Sequence, residues 1–344
     1  MSSPDAVAGV LWVGVTAYAV FAGADFGAGF WSLVAGRSDA GRRARGLVDW
    51  AIGPVWETNH VWLIFVLVVL WTGFSSAFEA IFSTLFIPLS LAAVGIVLRG
   101  AGFAFHTTAR RTGGRALAER LFGVSSLLTP FFLGTVVGAV AAGKVPLGNA
   151  AGAPVSSWLN PLSIVIGALF VATSAYLAAV FLVSDARRAG AADLERYFTR
   201  RAMAAAVGAG VLAVAGIVAL HADARYVYDG LTGDALPLVI ASGLCGAAVL
   251  LMLPRGAKRG VRALAVVAVV AVVWGWAVAQ HPYLLPQTLT IDAAAAPRDT
   301  LTSLLVVFGA AVVLVVPSIA LLFTLAQRNM IEESAAPTGA AEPL

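Results

Sequence analysis

A carboxylate, an amide and an imidazole fall within four residues of one another at Glu57, Asn59 and His60. They head a run otherwise suited to lipid, from Trp56 through Trp62, Phe65 and Val69 to Leu70. An ionisable group in such a run costs about 2.5–3.5 kcal/mol on insertion scales, so it is normally turned inward and put to use. Glu57 and His60 are three apart and can meet on one helical face, while Trp56 and Asn59 share an adjoining one. A second acid, Asp25, stands in Gly23-Ala-Asp-Phe-Gly27-Ala-Gly29. Two buried acids at one depth can hold or pass a proton. The bland alternative is that each bonds only to nearby backbone or to Arg99 and locks the helices together. His60 either relays protons or satisfies Glu57. Arg99 either snorkels to the interface or pairs with an acid. Trp56 and Trp62 are packing or interfacial aromatics. Gly23 and Gly27, four apart, let two membrane helices approach closely. Asp25 points away from that seam, on a face shared with Ala22 and Gly29.

The elements that carry these residues follow from composition. Of 344 residues, 60% are hydrophobic and 12% charged, against roughly 25% charged in a soluble domain; the mean hydropathy is +0.90. Apolar runs of about 20 residues recur, so the fold class is all-α: a polytopic membrane helical bundle. Nine transmembrane helices are expected, at about Ala6–Val34, Asp49–Thr72, Phe78–Gly102, Leu121–Ala142, Trp158–Val183, Ala202–Leu220, Leu236–Leu253, Ala263–Ala279 and Leu301–Ala326. Every second loop is basic, and one side holds 18 of the 22 Lys and Arg. That asymmetry places the N-terminus outside and the C-terminus in the cytoplasm. It also accounts for the pI near 9.6 without nucleic acid. The first run, with no Lys or Arg before it, reads as a retained span. Residues 1–327 form a single membrane-embedded domain, and 328–344 a short disordered cytoplasmic tail. With this topology Asp25 and Glu57 both lie in the cytoplasmic halves of adjacent spans.

Other chemistry is poorly provided for. A membrane haem needs axial ligands, most often His or Met, and only His60, Met203 and Met252 are candidates, at scattered depths. The lone Cys245 supplies no disulfide and no Cys-based metal site. There is no phosphate-binding glycine loop and no nucleophile beside an evident base. Glu79, His106, His221 and His281 read as solvated or loop groups. One competing function is a secondary transporter using the same acids, against which no pair of interrupted helices in corresponding halves is evident; another is a purely structural membrane scaffold.

The motifs around Asp25 and from Gly53-Pro-Val-Trp56-Glu57 to Ile64 resemble subunit II of the cytochrome bd-type quinol oxidases. Leu98-Arg99-Gly-Ala-Gly-Phe103, Leu159-Asn-Pro-Leu162 and His281-Pro-Tyr-Leu-Leu-Pro286 agree, in the same order. The resemblance implies a bacterial inner-membrane heterodimer with a larger subunit I. That partner would bind haem b and haem d, oxidise quinol and reduce oxygen to water, with no haem bound by this chain. It implies that Trp56 and Glu57 belong to a proton path from the cytoplasm, with Asp25 near it and Asn59, His60 and Arg99 in support. Some members hold a quinone in subunit II as a structural lipid, and small accessory membrane subunits are a further expectation. The usual Asp-Gly-Asn is Glu57-Thr58-Asn59 here, His60 replaces a more usual acid or amide, and the loop before the ninth span is short. These departures suggest a divergent branch.

Overall fold

The computed structural model describes residues 2–52, 56–108, 115–257 and 259–327, apart from the side chains of 52, 56–58, 103–108, 115–119, 316, 319–320, 322–323 and 325–327. In chain order the helices are α1 (Ser3–Val34), α2 (Asp39–Ile52), α3 (Trp56–Gly73), α4 (Ser75–Thr84), α5 (Phe86–Thr108), α6 (Arg115–Ala141) and α7 (Pro161–Arg188). They continue with α8 (Ala192–Asp223), α9 (Arg225–Thr232), α10 (Leu236–Met252), α11 (Val261–Gln280), α12 (Ile291–Ala294) and α13 (Arg298–Gln327). A short antiparallel pair, β1 (Tyr283–Leu285) and β2 (Leu289–Thr290), precedes α12.

Local chemistry starts the longest helices. Ser2 and Asp5 form a reciprocal capping box at α1, with Pro4 in the first turn. Asn160 caps α7 by accepting from the Ser163 amide at 2.9 Å, and Pro161 takes the first helical position. Helix α1 is the hub, packing on α3, α6, α7, α11 and α13. Its first half joins α4, the β pair and α13 in an apolar cluster around Leu11, Phe74, Leu85 and Leu285. Its second half lies at the basic end of the bundle, where Leu47, Val48, Leu182, Phe198 and Val261 build another.

Among the described residues six helices are long and apolar enough to cross a membrane: α1, α6, α7, α8, α11 and α13. Two further pairs qualify only together, α3 with α4, bent by 119°, and α9 with α10, bent by 73°. The expected second span therefore does not begin at Asp49. Asp49–Ile52 belong to α2, an amphipathic helix that buries Ala44, Leu47 and Val48 while exposing Arg42 and Arg43 and leaving Arg45 half-buried. The basic loop expected there is this helix. The third span likewise does not begin at Phe78, because the chain breaks on both sides of α4, at Phe74 and at Leu85. Phe74 is wholly buried in the apolar cluster, and the Gly73 carbonyl accepts from the Ala296 amide at 2.8 Å, which fixes the end of α3. Trp158 lies before α7. Arg196, Arg200 and Arg201, expected in a loop, extend α8, whose first turns are tied down by Arg43–Asp193 at 2.6 Å and Arg187–Glu195 at 2.6 Å. Interrupted helices thus exist, contrary to the sequence reading. Both breaks fall at the end of the bundle opposite the basic groups. Gly53, Pro54, Arg110, Arg111 and the tail 328–344 lie outside the described residues.

Candidate functional site

Asp25 sits in the second half of α1 and Arg99 in α5. Arg99 Nη2 lies 2.6 Å from Asp25 Oδ1 and Arg99 Nε donates to Oδ2 at 3.1 Å, a two-pronged carboxylate–guanidinium pair. Nη2 also donates to the Asp25 carbonyl at 3.0 Å, and Nη1 donates to Ser126 Oγ of α6. Ser126 in turn donates to the Phe122 carbonyl at 2.6 Å. The guanidinium lies between two rings, with its central carbon 5.1 Å from the Phe26 centroid and 4.2 Å from that of Phe122. Side-chain exposure is 0% for Arg99 and 2% for Asp25. Arginine suits this place: its fork satisfies both carboxylate oxygens at once and its flat face tolerates aromatic neighbours. Of the readings open for Arg99, the structure shows pairing with an acid, not snorkelling.

The glycines around Asp25 divide between two neighbours. A Cβ built on Gly27 would fall on the Ser174 carbonyl oxygen of α7 and 2.8 Å from the Ala175 nitrogen, whereas one on Gly23 would meet only Ser174 Oγ at 3.6 Å and Leu177 at 3.7 Å. A Cβ on Gly29 would strike Ser126 and come 3.0 Å from Arg99 Nη1. Gly27 therefore admits the α7 backbone, and Gly29 makes room for the ion pair. Trp31, one turn on, donates from Nε1 to the Ala175 carbonyl at 2.8 Å, closing the α1–α7 seam.

His60, on the second turn of α3, leans against the same cluster. Its ring centroid is 5.7 Å from that of Phe26 and 6.3 Å from that of Tyr18. Both ring nitrogens are buried with no hydrogen-bond partner among the described residues, as is the Tyr18 hydroxyl. Asn59 is buried, and Trp62 stacks on Phe21 with centroids 6.5 Å apart. The side chains of Trp56, Glu57 and His106 lie outside the described residues, so no geometry links Glu57 to His60. Glu79 is exposed. His221 pairs with Arg225 at 2.6 Å, and His281 lies 3.7 Å from Asp5, both away from the cluster.

The sequence reading missed Ser126, Phe26, Phe122 and Tyr18 as companions of Asp25 and Arg99; the Ser125-Ser126 pair inside an apolar run was the one signal available. It also missed Asp185. At the basic end Asp185 Oδ1 accepts from Arg188 at 2.5 Å and Arg262 at 2.6 Å, joining α7 to α11. No group of three or more His, Cys, Asp or Glu suited to a metal occurs among the described residues. An apolar cavity of about 310 Å³ lies in the bundle, lined by Leu11, Leu67 and Phe170 among others, with Tyr18, Thr173, Ser174 and Gln280 among its polar members. Gln280 is engaged, accepting from Trp276 at 2.8 Å and donating to the Leu284 carbonyl at 2.7 Å.

The family model described as cytochrome bd terminal oxidase subunit II matches residues 3–326. The chain belongs to that family. A Bacillus subtilis (strain 168) protein named provisionally as a cytochrome bd menaquinol oxidase subunit II is 24% identical over 321 residues, covering 90% of this chain and 91% of that one. Subunit 2 of the cytochrome bd-I ubiquinol oxidase of Escherichia coli K12 is 28% identical over 130 residues, 38% of this chain and 33% of that one. Among solved structures, the bd oxidase from Geobacillus thermodenitrificans superposes with a TM-score of 0.75 at 27% identity, covering 94% of this chain and 98% of the matched one. This subunit II is thus a multi-pass membrane protein and a component of a quinol oxidase, an oxidoreductase complex, with a subunit I as its partner.

Proposed function

We propose that this subunit II stabilises a haem-bearing subunit I and contributes a cytoplasmic proton route, lined by Glu57 and Asp25, for the reduction of oxygen to water. The observation that carries this reading is the cluster of polar groups taken into the bundle interior, with Asp25 paired to Arg99 and His60 leaning on Phe26 beside it. Helix α3, opened by the Glu57 motif, packs directly on α1 beside it. On α3 the row Val61, Ile64, Val68 and Trp71 is exposed. A partner laid on this row would close the route from lipid.

The topology proposed is the nine-span one, with the N-terminus outside and the C-terminus in the cytoplasm of a bacterial inner membrane. To the six long helices it adds α3, α5 and α10, of 18, 23 and 17 residues. At 1.5 Å per residue these reach about 27, 34 and 25 Å, close to a hydrocarbon core of about 30 Å. Asp185, Arg188 and Arg262 lie at the end assigned to the cytoplasm. Residues 1–327 act as one membrane-embedded unit. Haem b and haem d belong to subunit I, with quinol as the substrate of the complex. The apolar cavity has the shape and lining for a quinone or lipid tail held structurally, and small accessory subunits and lipid complete the partners. The interrupted pairs α3–α4 and α9–α10 are a feature that transporters share, but the family match over residues 3–326 favours the oxidase subunit.

The test is purification of the tagged chain in mild detergent. The expected result is a co-purifying haem protein, with oxygen consumption on added quinol that falls when Glu57→Gln is introduced into an assembled complex. A colourless preparation, or unchanged turnover and proton uptake in Glu57→Gln, overturns the corresponding half of the reading.

A further inference from the structure

Asp25 and His60 are adjacent but differently occupied. Both carboxylate oxygens of Asp25 accept from Arg99, which also donates to the Asp25 carbonyl and to Ser126, four of its five N–H groups in all. A carboxylate held this way has its charged form stabilised by two hydrogen bonds and a full countercharge. It is poorly placed to take up and release protons within a catalytic cycle. His60 is the opposite case. A neutral imidazole always presents one donor and one acceptor, and here neither nitrogen has a partner among the described residues although both are buried. Leaving such a group unsatisfied costs on the order of 1–3 kcal/mol, and packing alone gives no return for it.

We propose that His60 is the residue of this subunit that carries the proton, and that Asp25 with Arg99 is a fixed charge pair beside it. This rests on the proton-route reading above and divides the labour within it. The groups facing His60 are few. Among the described side chains, helix α1 brings Asp25 and Tyr18 and α5 brings Arg99. Helix α13, which also packs on α3, has no titratable side chain between Thr302 and Gln327. Helix α4 offers only Glu79, at the far end of α3. In the step itself one ring nitrogen binds a proton arriving from the cytoplasmic side and the other releases its own toward subunit I. The imidazole ends neutral with its tautomer exchanged, and no electron moves. Net charge at the site rises by one only while both nitrogens are protonated, and the nearby Asp25 carboxylate and Arg99 guanidinium, already paired, offset each other.

The experiment uses the assembled complex with its haem-bearing partner. His60→Gln and His60→Asn, two amides of different length, guard against a packing failure in either one. Each assembled variant, identified by an unchanged haem spectrum, is expected to lose at least fivefold in quinol-driven oxygen consumption. Each is also expected to change the pH profile of that rate. In His60→Ala, added imidazole is expected to restore at least part of the rate, which a purely structural role would not allow. Wild-type turnover and pH profile in both amide variants overturn the proposal. If Glu57→Gln is impaired while the His60 amides are not, only this inference falls. If neither change has an effect, the proton-route reading falls with it.

Discussion

The closest helix approach in the described bundle gives the sharpest mechanical test. Replacing Gly27 by Ala puts a methyl group where the Ser174 carbonyl of α7 already lies, 2.8 Å from the Ala175 nitrogen. Two effects compete. Alanine in place of glycine in a helix interior gains roughly 0.5–1 kcal/mol through the unfolded state. Overpacking costs typically about 1–3 kcal/mol, and more where the obstacle cannot rotate away. Here the obstacle is backbone, so α1 must back off α7 along the seam, stretching the bond from Trp31 Nε1 to the Ala175 carbonyl, now 2.8 Å. The cost wins: a net loss of about 1–2 kcal/mol or more is expected. Gly23→Ala is the internal control. One turn away on the same helix, its methyl would meet only Ser174 Oγ at 3.6 Å and Leu177 at 3.7 Å, so the propensity gain survives, at about 0.5–1 kcal/mol. The assay is the temperature at which the detergent-solubilised complex loses its monodisperse peak, compared across wild type and the two variants. Gly27→Ala is expected to melt lowest and Gly23→Ala at or above wild type. A Gly27→Ala complex as stable as wild type, or Gly23→Ala the weaker of the two, would refute the assignment of that seam.

Three further outcomes are expected. Asp25→Leu or Arg99→Leu alone leaves a buried unpaired charge and should cost about 3–5 kcal/mol, whereas the double variant should cost much less than the sum; additive losses in thermal stability would show that the pair is not coupled. Asn160→Ala removes the bond to the Ser163 amide and should cost about 0.5–2 kcal/mol, read as faster hydrogen exchange in the first turn of α7 with little change beyond it. The Ser2 hydroxyl, bonded to Asp5, holds that carboxyl below its usual value of 3.8. The contribution of the cap is therefore fully present above that value and is lost as pH falls through the lower folded value. Exchange at the first turn of α1 should quicken below about pH 4 in wild type and show no such step in Asp5→Asn.

How much of this was legible in the residues differs from one element to another. The runs that became α1, α6, α7, α8, α11 and α13 could be read directly, because a helix in lipid must satisfy its own backbone and so needs an unbroken apolar stretch. Asp25 stood out for the same reason: a charge in such a stretch is conspicuous. The split of the second and third runs could not be read. Leu, Phe and Ala occupy a buried break as readily as a span, and what ends α3 is a bond from Ala296, more than two hundred residues on. Helix α2 was hidden because its arginines satisfy a topological rule whether they lie in a loop or on one face of a helix.

The amino-acid order alone determined the solvent of this protein, the sign of each end and the handful of polar groups taken into the interior. Which of those groups meet was decided by the packing. Arg99 is 74 residues from Asp25, and its choice of that acid, with Ser126 as third member and His60 left without a partner among the described residues, depends on α1, α5 and α6 closing around one point. Local pattern sets what a helix must bury, but the identity of the buried partner is a property of helices from distant parts of the chain brought side by side.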